Sequence, residues 1–432
     1  MKLSNQDLTH IFLALTALLV VAHGMGAIVR RFRQPPVIGE IIGGILIGPT
    51  LFGWIAGPVI FTTVFPRPED QPATSYLLAA VQQIGLALLM FCSGLEIRSS
   101  FSRHEKRTAA MITITGTLIP FFLGAVGISL FDPTPYMGPA NDRTAFLIVF
   151  AIAVAVTSIP VISRIFMDLG IIESPLARVV LAAAVIEDIF LYVLLAIAIS
   201  MVGGKEHEPF GLPRALGLHG STKWGLLYHV GANVAFIAIA LLSGPSLFRR
   251  LESFRYNILR KASPVAFLLL FLFTMVGVGL YLGITPMFGA FVAGMVAATS
   301  SGGDDRKNRE TIKTFAFAFF VPIYFAMVGL RLDLTKSFDP MFFVVFFVAA
   351  CGVKALSVYV GARWAKEPGP KALDMAVAMN ARGGPGIVLA TEAHKEGIIN
   401  EVFYATLVLL AIITSMMAGV WLDHRRRQGA FR

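Results

Sequence analysis

The chain has 432 residues, 56% of them hydrophobic and 14% charged, with 36 Lys and Arg against 26 Asp and Glu for a formal balance of +10. Soluble domains carry roughly 25% charge, so this composition excludes a soluble globular fold and places the chain in a membrane. The two cysteines, Cys92 and Cys351, lie in apolar stretches and exclude a disulfide framework or a paired-cysteine metal site, while the positive surplus is cut into short clusters between apolar runs, which excludes a nucleic-acid-binding face.

A hydrocarbon core takes about 20 helical residues to cross. Apolar runs predict helices near 8–29, 36–54, 75–96, 108–131, 144–166, 174–203, 224–246, 263–283, 285–300, 312–331, 340–362, 371–392 and 400–422. The fold expected is an all-α integral membrane protein of about 13 transmembrane helices. The first run is expected to be a membrane helix rather than a signal peptide, because the basic cluster Arg30, Arg31 and Arg33 follows the apolar stretch. Alternate loops hold 25 and 9 Lys and Arg. Cytoplasmic loops retain positive charge, so the N-terminus is expected outside and the C-terminus in the cytoplasm, in a plasma (inner) membrane.

Charged and helix-breaking residues inside these runs carry the functional signal, because a charge in the bilayer costs about 2.5 to 3.5 kcal/mol on insertion scales. In chain order, helix one carries His23, expected as a packed ring, and helix two carries Glu40, expected to seal packing against a basic loop residue without touching an ion. Helix five holds Thr157-Ser158-Ile159-Pro160. Its proline removes a donor and frees a carbonyl one turn earlier, and the two hydroxyls offer oxygen ligands. Helix six holds the adjacent acids Glu187 and Asp188. Neighbouring helix positions point about 100° apart, so one acid can face a cavity and the other a partner. Lys354 in helix eleven is the expected partner, since a buried carboxylate is tolerated when a buried amine neutralises it. Two acids against one lysine leave one negative charge for a proton or a dehydrated monovalent cation. Helix twelve holds Asn380-Ala381-Arg382-Gly383-Gly384-Pro385-Gly386, which is expected to open the helix, with Arg382 capping freed carbonyls or balancing the helix dipoles.

Two motifs recur in order. Pro36, Gly39 and Gly44 of helix two match Pro286, Gly289 and Gly294 of helix nine, and Gly94-Leu95-Glu96 ends helix three as Gly329-Leu330-Arg331 ends helix ten. An offset of seven helices gives the copies opposite orientation, the inverted-repeat arrangement of secondary transporters, with the ion site at discontinuous helices near the midplane. The chain then divides into a first repeat over 1–203, a linker helix with loops over 204–262, and a second repeat over 263–432.

These residues resemble a known family. Gln34 to Glu40 with Gly48-Pro49, Leu88 to Glu96, Thr157 to Pro160 with Ser163-Arg164, Glu187-Asp188, Phe288 to Gly294, and Arg382-Gly383 are similar in content and order to the monovalent cation:proton antiporters of the second cation:proton antiporter family. The resemblance implies a secondary active transporter exchanging Na⁺ or K⁺ for protons. It implies that Asp188 binds the cation or proton, that Glu187 occupies the preceding position and pairs with Lys354, and that Thr157 and Ser158 lie in an unwound crossing segment. Pro160, Arg382 and Gly383 would support the broken helices. It implies further a homodimer, with a mobile core of helices four to six and eleven to thirteen and a dimerisation domain formed by the rest.

Two departures stand out: the helix-six pair is Glu-Asp, which lengthens one arm, and Gly384-Pro385-Gly386 stands where many members place an acid. Only about ten residues follow helix thirteen, so no appended nucleotide-sensing domain is expected. The expected partners are monovalent cations, protons, membrane lipid and a second copy of the chain. No cofactor and no enzymatic activity are expected. The rival reading is a cation channel or uniporter using the same carboxylates, which would need a continuous pore and a repeated filter motif.

Overall fold

A computed structural model describes residues 4–32, 34–52, 55, 65, 71–95, 103–202, 210–217, 223–254, 256–299 and 303–431. Arg33, Glu96 and the expected helix ends at 54, 203 and 300 lie outside the described residues. Among those described the regular structure is helical, with one isolated β-bridge between Met137 and Ile399. Among the described residues eight helices are long and apolar enough to cross a membrane: Asn5–Arg31, Pro72–Leu95, Glu105–Ser129, Pro175–Val202, Pro264–Tyr281, Lys307–Leu330, Pro340–Trp364 and Glu401–Arg427. Pro36–Ile47, Arg143–Ala155 and Pro286–Ala297 are apolar but shorter. The protein is an all-α membrane protein.

Local chemistry sets where these helices begin. Ser4 and Asp7 form a reciprocal capping box on the first. Asp142, Asp339 and Asn400 each accept backbone N–H bonds from the first turn that follows them. Pro36, Pro264, Pro286 and Pro340 stand at first-turn positions, where a missing N–H is harmless.

Several boundaries differ from the sequence reading. The helix expected to run to residue 54 stops at Ile47, because Gly48 is extended before Pro49, as residues preceding proline tend to be. The helix expected over 224–246 ends at Leu242 and the chain turns by 51° into Gly244–Ser253. Helical structure starts earlier than expected at Arg103 and at Gly303, since polar first turns are invisible to a search for apolar runs. His23 lies on the exposed side of its helix, off the buried stripe Ala14, Leu18, Ala22 and Gly26.

The chain folds as two compact units. One comprises Met1–Leu78, Ser99–Ala198 and Phe325–Arg432; the other comprises Ala79–Arg98 and Ile199–Tyr324. The first is held by an apolar cluster that includes Ile162, Phe166, Val180, Val358, Met375 and Leu422. In this unit Gly44 and Gly329 face each other: a Cβ on either would fall on the carbonyl of Ala326 or Ile41. In the second unit Gly94 and Gly294 do the same against the carbonyls of Phe291 and Phe91. Such close backbone approach is how membrane helices gain contact without a hydrophobic driving force.

Candidate functional site

The first unit contains two helix interruptions. Arg143–Ala155 stops, residues 156–158 are non-helical, and Ile159–Asp168 resumes. Gly369–Ala378 stops, and Gly383–Lys395 resumes after Arg382. The two breaks bond to each other: the Thr157 hydroxyl donates to the Met379 carbonyl at 2.6 Å, and the Ser158 N–H donates to the Ala381 carbonyl at 2.6 Å. Ser158 Oγ also accepts the Val161 N–H at 3.3 Å, capping the resumed helix. Pro160 stands in that helix's first turn. Gly383 is required where the breaks meet, because a Cβ there would lie 3.0 Å from Ser158 Oγ and overlap the Val161 side chain.

A helix stopped in apolar surroundings leaves its last carbonyls without donors. Two cations supply them to Arg143–Ala155. Arg382 is 1% exposed and donates to the carbonyls of Ala153 at 3.3 Å, Val154 at 3.1 Å and Ala350 at 3.0 Å, and to Asn380 Oδ1 at 3.0 Å. Lys354 is fully buried and donates to the Ala155 carbonyl, to the Gly116 carbonyl at 2.8 Å and to Glu187 Oε2 at 2.7 Å. Those three bonds use all the ammonium donors. Positive charge at a helix C-terminus is also favoured by the helix dipole.

Glu187 and Asp188 sit on Pro175–Val202 at 0% and 1% exposure, whereas Ile186 just before them is 51% exposed. The acids therefore face the protein interior. Thr117 Oγ1 donates to Glu187 Oε2 at 3.2 Å, so this oxygen is shared by a cation and a hydroxyl. Asp188 differs. Neither of its carboxylate oxygens accepts a hydrogen bond among the described residues, and Glu187 Oε1 accepts none either. An ionised carboxylate in that condition is among the costliest groups a protein can bury. The arrangement is an ion pair bonded to the end of Arg143–Ala155, with an unsatisfied acid at the next residue along the helix.

Residues 14–424 match the family described as sodium/hydrogen exchanger, transmembrane. The chain belongs to the sodium/hydrogen exchanger family. It is 29% identical over 424 residues to the Na(+)/H(+) antiporter NhaS4 of Synechocystis sp., covering 95% of this chain and 96% of that protein. It is 29% identical over 427 residues to the K(+)/H(+) antiporter 1 of Saccharomyces cerevisiae, covering 96% of this chain and 46% of that protein. The chain likewise spans 47% of the Arabidopsis thaliana cation/H(+) antiporter 20, so it matches about half the length of these two relatives. The solved sodium proton antiporter MjNhaP1 of Methanocaldococcus jannaschii superposes with a TM-score of 0.64 over 96% of both chains at 14% identity, which establishes a shared fold.

The eight residues expected at the site, Thr157, Ser158, Pro160, Glu187, Asp188, Lys354, Arg382 and Gly383, lie at the two breaks or on the helices packed against them. Glu40 is buried, with Arg30 and Arg164 as the cations facing it. Sequence reasoning missed Gly116 and Thr117. Their signal was Pro120: a proline four residues on has no N–H for the Gly116 carbonyl, and the helix widens into a π turn over Ile114–Leu118. It also missed Glu392, a buried acid with Oε1 unpartnered, on the same resumed helix as the acid-free stretch Gly384-Pro385-Gly386.

Proposed function

We propose that this exchanger moves a monovalent cation, Na⁺ or K⁺, against protons by alternating access, with Asp188 holding either the cation or a proton. The observation that carries the reading is the contrast between the neighbouring acids. Glu187 is neutralised by Lys354, while Asp188 is equally buried and neither of its oxygens accepts a hydrogen bond among the described residues. A bound cation or a bound proton removes the charge on Asp188, and each lets the site cross the apolar barrier. The empty, charged site is expensive to move. Occupancy by one excludes the other, and that exclusion couples the two fluxes. Thr157 and Ser158 lie in the first break; the Thr157 hydroxyl donates across to the second break, the Ser158 hydroxyl caps the resumed helix, and both keep lone pairs for a cation.

The chain is proposed to cross the membrane about 13 times as two inverted repeats, 1–203 and 263–432, around the linker 204–262. Support comes from the second break matching the first, and from the glycine pairs. Gly44 meets Gly329 and Gly294 meets Gly94, which is the exchange of partners expected when helices two and three are repeated as nine and ten. Helices four to six and eleven to thirteen are proposed as the mobile core and the remainder as the dimerisation domain of a homodimer. The N-terminus is proposed outside and the C-terminus inside a plasma (inner) membrane. The test is counterflow in sealed proteoliposomes: an outward Na⁺ or K⁺ gradient drives proton entry in the native protein. Asp188→Asn abolishes it with an unchanged unfolding temperature. Normal exchange in that variant removes Asp188 from the site, and cation flux without proton movement establishes the channel or uniporter instead.

A further inference from the structure

The segment after Leu242 takes no part in the site. Gly244–Ser253 leaves the direction of Lys223–Leu242 by 51°, so it does not continue the apolar helix before it. Its inner side is anchored to Pro264–Tyr281: Phe248 is buried, 5.7 Å from the ring of Phe267 and 4.8 Å from that of Phe271. Arg260 of the following short helix pairs with Glu252 at 2.9 Å. Its outer side is different in kind. Leu247, Leu251, Phe254, Tyr256, Ile258 and Leu259 are exposed, more apolar surface than a short segment presents to water without a reason. Arg249, Arg250 and Lys261 are exposed among them, and no acid pairs with any of the three among the described residues.

We propose that residues 244–254 and 256–262 lie in the plane of the membrane interface and bind anionic phospholipid headgroups through Arg249, Arg250 and Lys261, with the six apolar side chains entering the acyl boundary. Charge decides the occupant. A lipid surface offers phosphate for the cations and hydrocarbon for the leucines and aromatics at adjacent depths, as amphipathic interfacial helices require. A second copy docked symmetrically on this face would set the same unpaired cations against one another. The inference concerns lipid binding and holds whether or not the exchange reading does.

The experiment is the unfolding temperature of the purified full chain in detergent, titrated with phosphatidylglycerol, phosphatidylcholine or inorganic phosphate. Phosphatidylglycerol is expected to stabilise the native protein, with phosphatidylcholine and phosphate without effect. The combined variant Arg249→Gln, Arg250→Gln, Lys261→Gln is expected to keep its lipid-free unfolding temperature and to need on the order of 100-fold more phosphatidylglycerol, each single variant contributing roughly fivefold. The charge-keeping pair Arg249→Lys, Arg250→Lys is expected to respond as the native chain does. Single variants that respond at native lipid concentration overturn the proposal. So does an equal response to phosphatidylcholine, which means apolar contact alone, or to phosphate, which means a free-anion site.

Discussion

Replacing Lys354 by methionine keeps most of the side-chain volume and deletes the ammonium that donates to Glu187 Oε2, Gly116 and Ala155. The loss leaves a buried carboxylate without its cation and two carbonyls without donors. Breaking a buried pair from one side costs about 3–5 kcal/mol. Glu187→Gln leaves the opposite imbalance, a buried ammonium without its anion, and is expected to cost a similar amount. In the double variant neither charge remains, and the residual loss is that of the carbonyls, about 1–3 kcal/mol each at most. The cycle is therefore expected to show a coupling of about 3 kcal/mol or more, with the double variant unfolding above the temperature that summed single effects give. Thermal unfolding of the four proteins in one detergent measures it. Strictly additive shifts would refute the claim that these side chains neutralise each other.

Gly383→Ala is expected to lower the unfolding temperature by an overpacking cost of about 1–3 kcal/mol, whereas Gly384→Ala, whose added methyl would meet its nearest atom, in Phe325, at 3.7 Å, is expected to be tolerated. Equal effects would show that the breaks do not meet as closely as described. Arg382→Lys replaces a planar fork by a point charge that cannot reach Ala153, Val154 and Ala350 together, and is expected to cost about 2–4 kcal/mol in the same assay despite keeping the charge. In the exposed turn at Asp132, the hydroxyl and then the N–H of Thr134 hold the carboxyl below its usual range. A lowered folded-state value means this turn's stabilisation is complete above the ordinary carboxylate range and is lost as pH falls through the lowered value. Thr134→Val should return the Asp132 titration, followed by carboxyl carbon NMR, toward the ordinary position.

Length, hydropathy and the placement of charge inside apolar runs were enough to determine a helical membrane protein, the acid pair on its sixth predicted helix, the lysine facing it and the two segments where helices stop. Each of those is a local statement: a charge in an apolar run is conspicuous against its own neighbours, and proline or clustered glycine forbids a helix within one turn. What tertiary structure alone decided is which oxygen belongs to which donor. Nothing in the order of residues says that the Lys354 ammonium is fully occupied by Glu187, Gly116 and Ala155, that Arg382 reaches back to the carbonyls of another broken helix, or that Asp188 is left with none of these donors. Hydrogen bonds form between atoms about 3 Å apart, and residues 116, 155, 187, 354 and 382 reach that distance only after their helices have packed.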